Sequence, residues 1–362
     1  MSEIYPLKIY GSSVSYFTGK LEMYLRAKGI PYELIAMTPM KIVPMVIRET
    51  GNRQMPAVTL ADGRWVTDTT PMIAWLEEQQ PSPPIIPTDP VQRFFNFFIE
   101  DYADEWLWRP AMHYRWWPIA GRMALSRHLA DEVGKGIPIP NFLKRWVVRR
   151  RQLGGYVLGD GVTRANHIQV EATYLENLDW LSAMLEHRDF LMGDSPCLAD
   201  IAFMGPMFRH FAQDPVPAEI MRQRAPRVWA WVARLWNCVP GDVTGNWHTG
   251  IPDDWGSMLD GIGRTYMPYL SANAEAVRQG QKRFDTTVDG VQYKGARVSP
   301  YRVWCMNQLR AHFDGMDSAS QSQVKDILER HNCWDVFWNT DLPTVDVNVG
   351  CEPPFGTNAT MV

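Results

Sequence analysis

No two cysteines in this 362-residue chain stand close enough to form a Cys-x-x-Cys pair. The five, at positions 197, 238, 305, 333 and 351, are also odd in number, so neither a disulfide framework nor a zinc site is expected. The eight histidines show no His-Glu-x-x-His or similar ligand spacing. No uninterrupted apolar run approaches the roughly 20 residues a membrane-spanning helix needs. The first residues, MSEIYPLKIYG, lack a basic stretch followed by an apolar run, so no signal peptide is expected. A net charge of −4 gives no push toward nucleic acid or anionic lipid. Together these absences predict a soluble, cytoplasmic protein without metal, nucleic-acid or membrane partners.

What is present suits a folded enzyme-sized chain. A 46% hydrophobic and 21% charged composition is that of an ordinary globular protein, and the length allows two or three domains. The sixteen tryptophans are unusual, and Trp106, Trp108, Trp116 and Trp117 lie close together. Such a cluster predicts an aromatic core or interface.

Leu7–Tyr10 reads as a short strand ended by Gly11. Phe17–Lys28 reads as a helix, with Leu21, Tyr24 and Leu25 at helical spacing and Gly29-Ile30-Pro31 as its stop. Tyr32–Ala36 is a second strand, and residues 40–50 a short helix. Ala57–Leu60 and Trp65–Thr67 flank Asp62-Gly63, a hairpin signal. Thr70 and Pro71 read as the cap and first position of a further helix. This order predicts an α/β layer with a mixed sheet over residues 1–81. The proline-rich stretch 82–90 reads as a stiff linker. Beyond it the pattern is helical over 91–240: one long helix over Val91–Tyr114, then Asn166–Glu186, Ile201–Phe211 and Val228–Leu235. Residues 118–163 look less regular, and the basic run from Lys144 to Arg151 reads as a solvated helix face. From 241 to 362 the chain reads as an extension of mixed or irregular structure. It has a helix over Ala272–Gln281, short strands over Phe284–Val298, another helix over Ser299–Phe313, and a Pro-, Gly- and Asn-rich tail from Asp341.

Two features carry chemistry. Met55-Pro56 directly precedes a strand, where a cis bond would turn the backbone of Met55 outward to pair with an extended peptide. Twelve residues on, Asp68-Thr69 stands at the start of a helix. Unpaired N–H groups and the positive end of the helix dipole there suit a carboxylate, and Asp68 suits an ammonium. With Thr70 taken as the helix cap, both Asp68 and Thr69 are expected to be free for a ligand.

Gln54-Met55-Pro56, Asp68-Thr69 and the run from Lys20 to Glu33 with Lys28-Gly29-Ile30-Pro31-Tyr32-Glu33 resemble the glutathione transferase superfamily. So does Gly193-Asp194-Ser195-Pro196-Cys197-Leu198-Ala199-Asp200-Ile201, with Cys197 where a capping Ser or Thr is expected. The resemblance covers about residues 7–240. It implies a thioredoxin-like first domain that binds glutathione and an all-helical second domain. It also implies that Gln54, Met55 and Pro56 meet the peptide of glutathione and that Asp68 and Thr69 hold its γ-glutamyl end. Ser15 falls where the family carries its thiol-activating residue, with Tyr10, Ser12, Ser13 and Tyr16 as rival hydroxyls and N-capping as its plain alternative role. The implied function is a glutathione transferase directing the thiolate at an apolar or aromatic electrophile, working as a homodimer without a metal. A non-catalytic binding or scaffold protein on the same fold is the alternative.

Overall fold

The computed structural model describes residues 4–345. The chain begins with β1 (Leu7–Gly11), α1 (Tyr16–Lys28), β2 (Tyr32–Ala36), α2 (Ile42–Thr50), β3 (Ala57–Thr59), β4 (Trp65–Thr67) and α3 (Thr69–Gln79). The sheet order is β2-β1-β3-β4. β1 runs parallel to β2, while β3 runs antiparallel to β1 and to β4, as a mixed α/β layer requires. Gly29 ends α1 at φ 66°, a left-handed conformation that glycine adopts without a Cβ clash, and its N–H returns to the carbonyls of Leu25 and Arg26.

The helical part comprises α4 (Pro90–Glu105), α5 (Trp108–Trp116), α6 (Ile119–Glu132), α7 (Asn141–Gln152), α8 (His167–Met184), α9 (Leu198–Pro206), α10 (Pro215–Arg224) and α11 (Pro226–Trp236). The single helix expected over Val91–Tyr114 is two, broken at Trp106 and Leu107. Pro110 explains the break. It has no N–H for the carbonyl of Trp106 and crowds it sterically, so it is tolerated only in the first turn of a new helix. Residues 118–163 are more regular than expected. α7 buries none of its side chains, so it carries no apolar stripe for periodicity to reveal.

The chain continues through α12 (Gly256–Arg264), α13 (Tyr266–Arg278), β5 (Arg283–Val288), β6 (Val291–Arg297), α14 (Pro300–Asp314), α15 (Ser318–Arg330) and α16 (Trp334–Asn339). Asp289 and Gly290, both at positive φ, turn β5 into β6. Gly295 sits inside β6 at φ 62°, where its N–H meets Asp285 beside an irregularity in the register. The tail beyond residue 345, including Cys351, lies outside the described residues.

One core runs through all three parts. Trp106 and Trp116 are fully buried, as the tryptophan cluster predicts. On α4, Phe94 meets Phe313 of α14 and Phe337 of α16 edge-on. α1 joins the sheet to the helices through charge as well. Buried Lys20 binds Glu100 and Asp104 of α4, and buried Arg209, following α9, binds Glu22.

Candidate functional site

The sheet register brings the sequence-predicted segments to one end of the sheet. Tyr10 pairs with Ala57, and Ala57 pairs with Thr67. One residue further along each strand are Gly11, Pro56 and Asp68. The loop leading to Ser15, the Met55-Pro56 step and the start of α3 therefore lie side by side. The Met55–Pro56 bond is cis, and the ladder begins only at Ala57. Gln54 and Met55 are half-buried, and the Gln54 N–H is held by Asn52 Oδ1 at 2.9 Å.

Ser15 occupies the N-cap position of α1, half-buried, yet its side chain makes no capping hydrogen bond. The rival hydroxyls are differently placed. Ser12 Oγ donates to Glu132 Oε2 at 2.7 Å, and Ser13 Oγ lies 2.9 Å from His128 Nε2. Both partners are on α6. Tyr16 is 1% exposed and donates to the carbonyl of Ala103 at 2.5 Å. Burial raises its hydroxyl well above the usual tyrosine range. Tyr10 stacks on Trp65 at 4.9 Å. Beside Ser15, half-buried Phe17 stacks on Trp108, and Tyr156 meets Trp108 edge-on.

At the start of α3 the structure corrects one expectation. The cap is Asp68, not Thr70: Asp68 Oδ1 accepts the Thr70 N–H at 3.2 Å. Thr70 lies inside the helix, with its hydroxyl on Glu100. Pro71 follows in the first turn, where no N–H is required of it. Asp68 is therefore not free in the sense its spacing suggests. Its other oxygen, Oδ2, accepts the Tyr301 hydroxyl of α14 at 2.8 Å. Asp68 also holds φ 69°, a conformation uncommon for a side-chain-bearing residue. Burial pushes its carboxyl up to about 6, opposed first by the Tyr301 hydrogen bond and then by Lys20. Thr69 is buried beside it.

Glu132, His128 and Tyr301 have no signal of their own in the sequence. They stand 119, 115 and 233 residues from the partners they meet. Cys197, expected to be buried and inert, is fully buried, and burial raises its thiol well above the usual range. Among the described residues no group of three or more His, Cys, Asp or Glu could hold a metal ion, and no helix is long and apolar enough to cross a membrane.

Comparison with known proteins adds to this geometry. Residues 9–84 match the model of the glutathione S-transferase N-terminal domain, and residues 124–234 match that of the C-terminal domain. Among curated proteins the chain is similar to glutathione S-transferase U7 of Arabidopsis thaliana, 24% identical over 153 residues, which are 42% of this chain and 64% of that protein. It is 23% identical over 99 residues to glutathione S-transferase U4 of the same plant, 27% of this chain and 44% of the relative. The chain thus spans less than two thirds of the length of these curated relatives. Similar solved structures include a glutathione S-transferase from Methylobacterium radiotolerans in complex with glutathione sulfonate. It has 20% identity, covers 68% of this chain and 98% of its own, and gives a TM-score of 0.39. The beta-etherase LigF from Sphingobium has 21% identity, covers 63% of this chain and 94% of its own, and gives a TM-score of 0.45.

Proposed function

The chain belongs to the glutathione S-transferase superfamily, and on that premise we propose that it binds glutathione and directs the bound thiolate at an apolar electrophile. One observation carries the reading: the convergence of Ser15, Met55-Pro56 and Asp68-Thr69 at one end of the sheet. The Met55 backbone, placed just before the ladder begins at Ala57, suits the cysteinyl unit of glutathione, paired as an added strand. Gln54 lies alongside the peptide. The N-terminus of α3 with Thr69 suits the γ-glutamyl carboxylate, and Asp68 suits its ammonium.

Ser15 is the activating group in this reading. A hydroxyl at the start of α1 donates to the thiolate, and the helix dipole favours the same anion. That its side chain caps nothing leaves the donor available. Tyr16 is unsuited to the role because its hydroxyl is engaged inside the core. Phe17, Trp108 and Tyr156 give an apolar, aromatic flank for the electrophile. Catalysis is then thiol activation plus proximity.

Calorimetric titration with glutathione tests the binding step. No heat and no thermal shift at millimolar ligand would remove the proposal. Given binding, Ser15→Ala raises the pKa of the bound thiol, read from thiolate absorbance; an unchanged absorbance transfers the role to another group. Turnover of apolar electrophiles separates an enzyme from a binding protein on the same fold. The homodimer and the cytoplasmic setting belong to the same reading, and light scattering that reports the mass of one chain removes the former.

A further inference from the structure

We infer that the C-terminal extension forms a working wall of the glutathione pocket, with Tyr301 as the positioning residue that holds Asp68 for the ligand's α-ammonium group. This rests on the glutathione reading above and adds to it a part of the chain that neither matched domain contains.

Tyr301 is 1% exposed, and its hydroxyl donates to Asp68 Oδ2 across 233 residues of sequence. With Thr70 N–H on Oδ1, both carboxylate oxygens are fixed. Each keeps a further acceptor site for an ammonium proton, since an ionised carboxylate accepts about four hydrogen bonds. The contact therefore aims the group without exhausting it.

α14 does not reach Asp68 as a loose tail. Next to Tyr301, Arg302 is buried and bonds Glu105 of α4 at 2.8 Å. At the start of the helix the Asn273 side chain bonds both the N–H and the carbonyl of Ser299, each at 2.8 Å. These anchors fix the position from which Tyr301 reaches across. Beside the contact is a cavity of about 40 Å³, whose walls include Thr70, Glu100 and Asp104 from the first two parts and Tyr301, Trp304 and Gln308 from α14. Residues of α3, α4 and α14 thus wall one cavity within the same chain.

The electrostatics give the hydroxyl a definite task. Asp68 faces Tyr301 from α14, Lys20 from α1 and Glu100 from α4. Burial and Glu100 favour its neutral form, while Tyr301, Lys20 and the Thr70 N–H favour its charged form. Tyr301 has the largest influence on the charged side. Only the ionised carboxylate makes a charge-assisted bond to an ammonium. Without the hydroxyl, a larger share of Asp68 is protonated near neutrality and the ligand loses its partner.

The test is glutathione titration of the full-length Tyr301→Phe protein across a pH series. Expected is affinity about three- to tenfold weaker near neutral pH. The pH midpoint of binding rises above that of the wild-type protein, in which burial pushes the Asp68 carboxyl up to about 6. Affinity recovers as pH passes the raised midpoint, short of the range in which the ligand's own α-amino group loses its proton. Arg310→Ala serves as the control. It frees α14 from the carbonyls of Phe337 and Thr340, neither of which is bonded to Asp68 or Tyr301. Loosening of the extension alone lowers its melting temperature and leaves the pH midpoint in place. Tyr301→Phe binding with wild-type affinity and an unmoved midpoint overturns the inference while the glutathione reading stands. Tighter binding by Tyr301→Phe also overturns it, since the contact then blocks the ligand. A wild-type protein that binds no glutathione removes both readings.

Discussion

The ring of Tyr16 lies directly on Gly205 of α9: a Cβ at position 205 would stand 2.6 Å from Cε1 of Tyr16. With the Tyr16 hydroxyl bound to Ala103, this contact fixes the start of α1, and hence Ser15, against the helical part. An unconstrained Gly→Ala change inside a helix raises stability by about 1 kcal/mol. Here overpacking outweighs that gain, and Gly205→Ala is expected to cost about 1–3 kcal/mol. Thermal unfolding checks it; a melting temperature at or above wild type refutes the close approach.

Buried Asp200 joins three segments. Oδ2 takes the Cys197 N–H at 3.0 Å and faces its thiol at 3.1 Å, while Oδ1 takes the Leu191 N–H and the Trp231 indole at 3.0 and 2.9 Å. Asp200 thus supplies much of the capping that a thiol provides poorly. Asp200→Ala leaves buried donors unsatisfied and is expected to cost on the order of 3 kcal/mol. Cys197→Ser is expected to gain up to about 1 kcal/mol by restoring a good N-cap. Denaturant titration of the two variants reads both signs, and a stability equal to wild type in Asp200→Ala dismisses the network.

Asp101 gives a stability that depends on pH. Its Oδ2 accepts the Tyr266 hydroxyl at 2.7 Å, while buried Oδ1 has no hydrogen-bond partner among the described residues. Burial, with Glu105 next, pushes the carboxyl up to about 8. The folded state therefore holds its proton where the unfolded chain has released it. Stability is fully present below the ordinary carboxylate value near 3.8 and is lost as pH rises toward 8. The slope from this group is at most about 1.4 kcal/mol per pH unit. Asp101→Asn is expected to flatten the melting temperature across this window; an unaltered slope places its origin elsewhere.

Asp68 sets the opposite sign for the ligand. The carboxylate that receives an ammonium forms as pH rises through about 6, so glutathione affinity is expected to climb through that value and then level. Asp68→Asn keeps an acceptor for Thr70 but not the charge. It should bind about tenfold more weakly on the plateau, with the step gone. Titrations in buffers on either side of the midpoint provide the measurement, and a step that survives in Asp68→Asn assigns it to another group.

Local signals made the strands, their sequence along the chain and the mixed character of the sheet legible. Gly29-Ile30-Pro31 stops α1, Asp62-Gly63 turns β3 into β4, and the segment over Tyr32–Ala36 coincides with β2. That Pro56 and Asp68 lie near one another was legible as an offset, because each directly flanks one of two paired strands, β3 and β4, a short hairpin apart. Thr70 was misread as the cap because Thr-Pro is itself a sound start signal, and the positive φ that places Asp68 outside the helix leaves no trace in composition. The break before Pro110 was readable in principle, but the aromatic run around it kept a helical spacing. Glu132, His128 and Tyr301 lay beyond reach for a different reason. Each enters through tertiary packing of a distant helix, and no local pattern encodes that approach.

The hydrogen bond between Tyr301 and Asp68 also sets an order in time. A ribosome finishes the sheet, the Met55-Pro56 step and the start of α3 long before it reaches α14. Until then α4 presents Phe94 without Phe313 and Phe337, and Glu105 without Arg302. A nascent or truncated chain ending near residue 240 carries both matched domains and an aromatic face without Phe313 and Phe337, beside a Glu105 that lacks Arg302. The segment from α12 to α16 thus supplies, last of all, the partners that cover α4 and reach the start of α3.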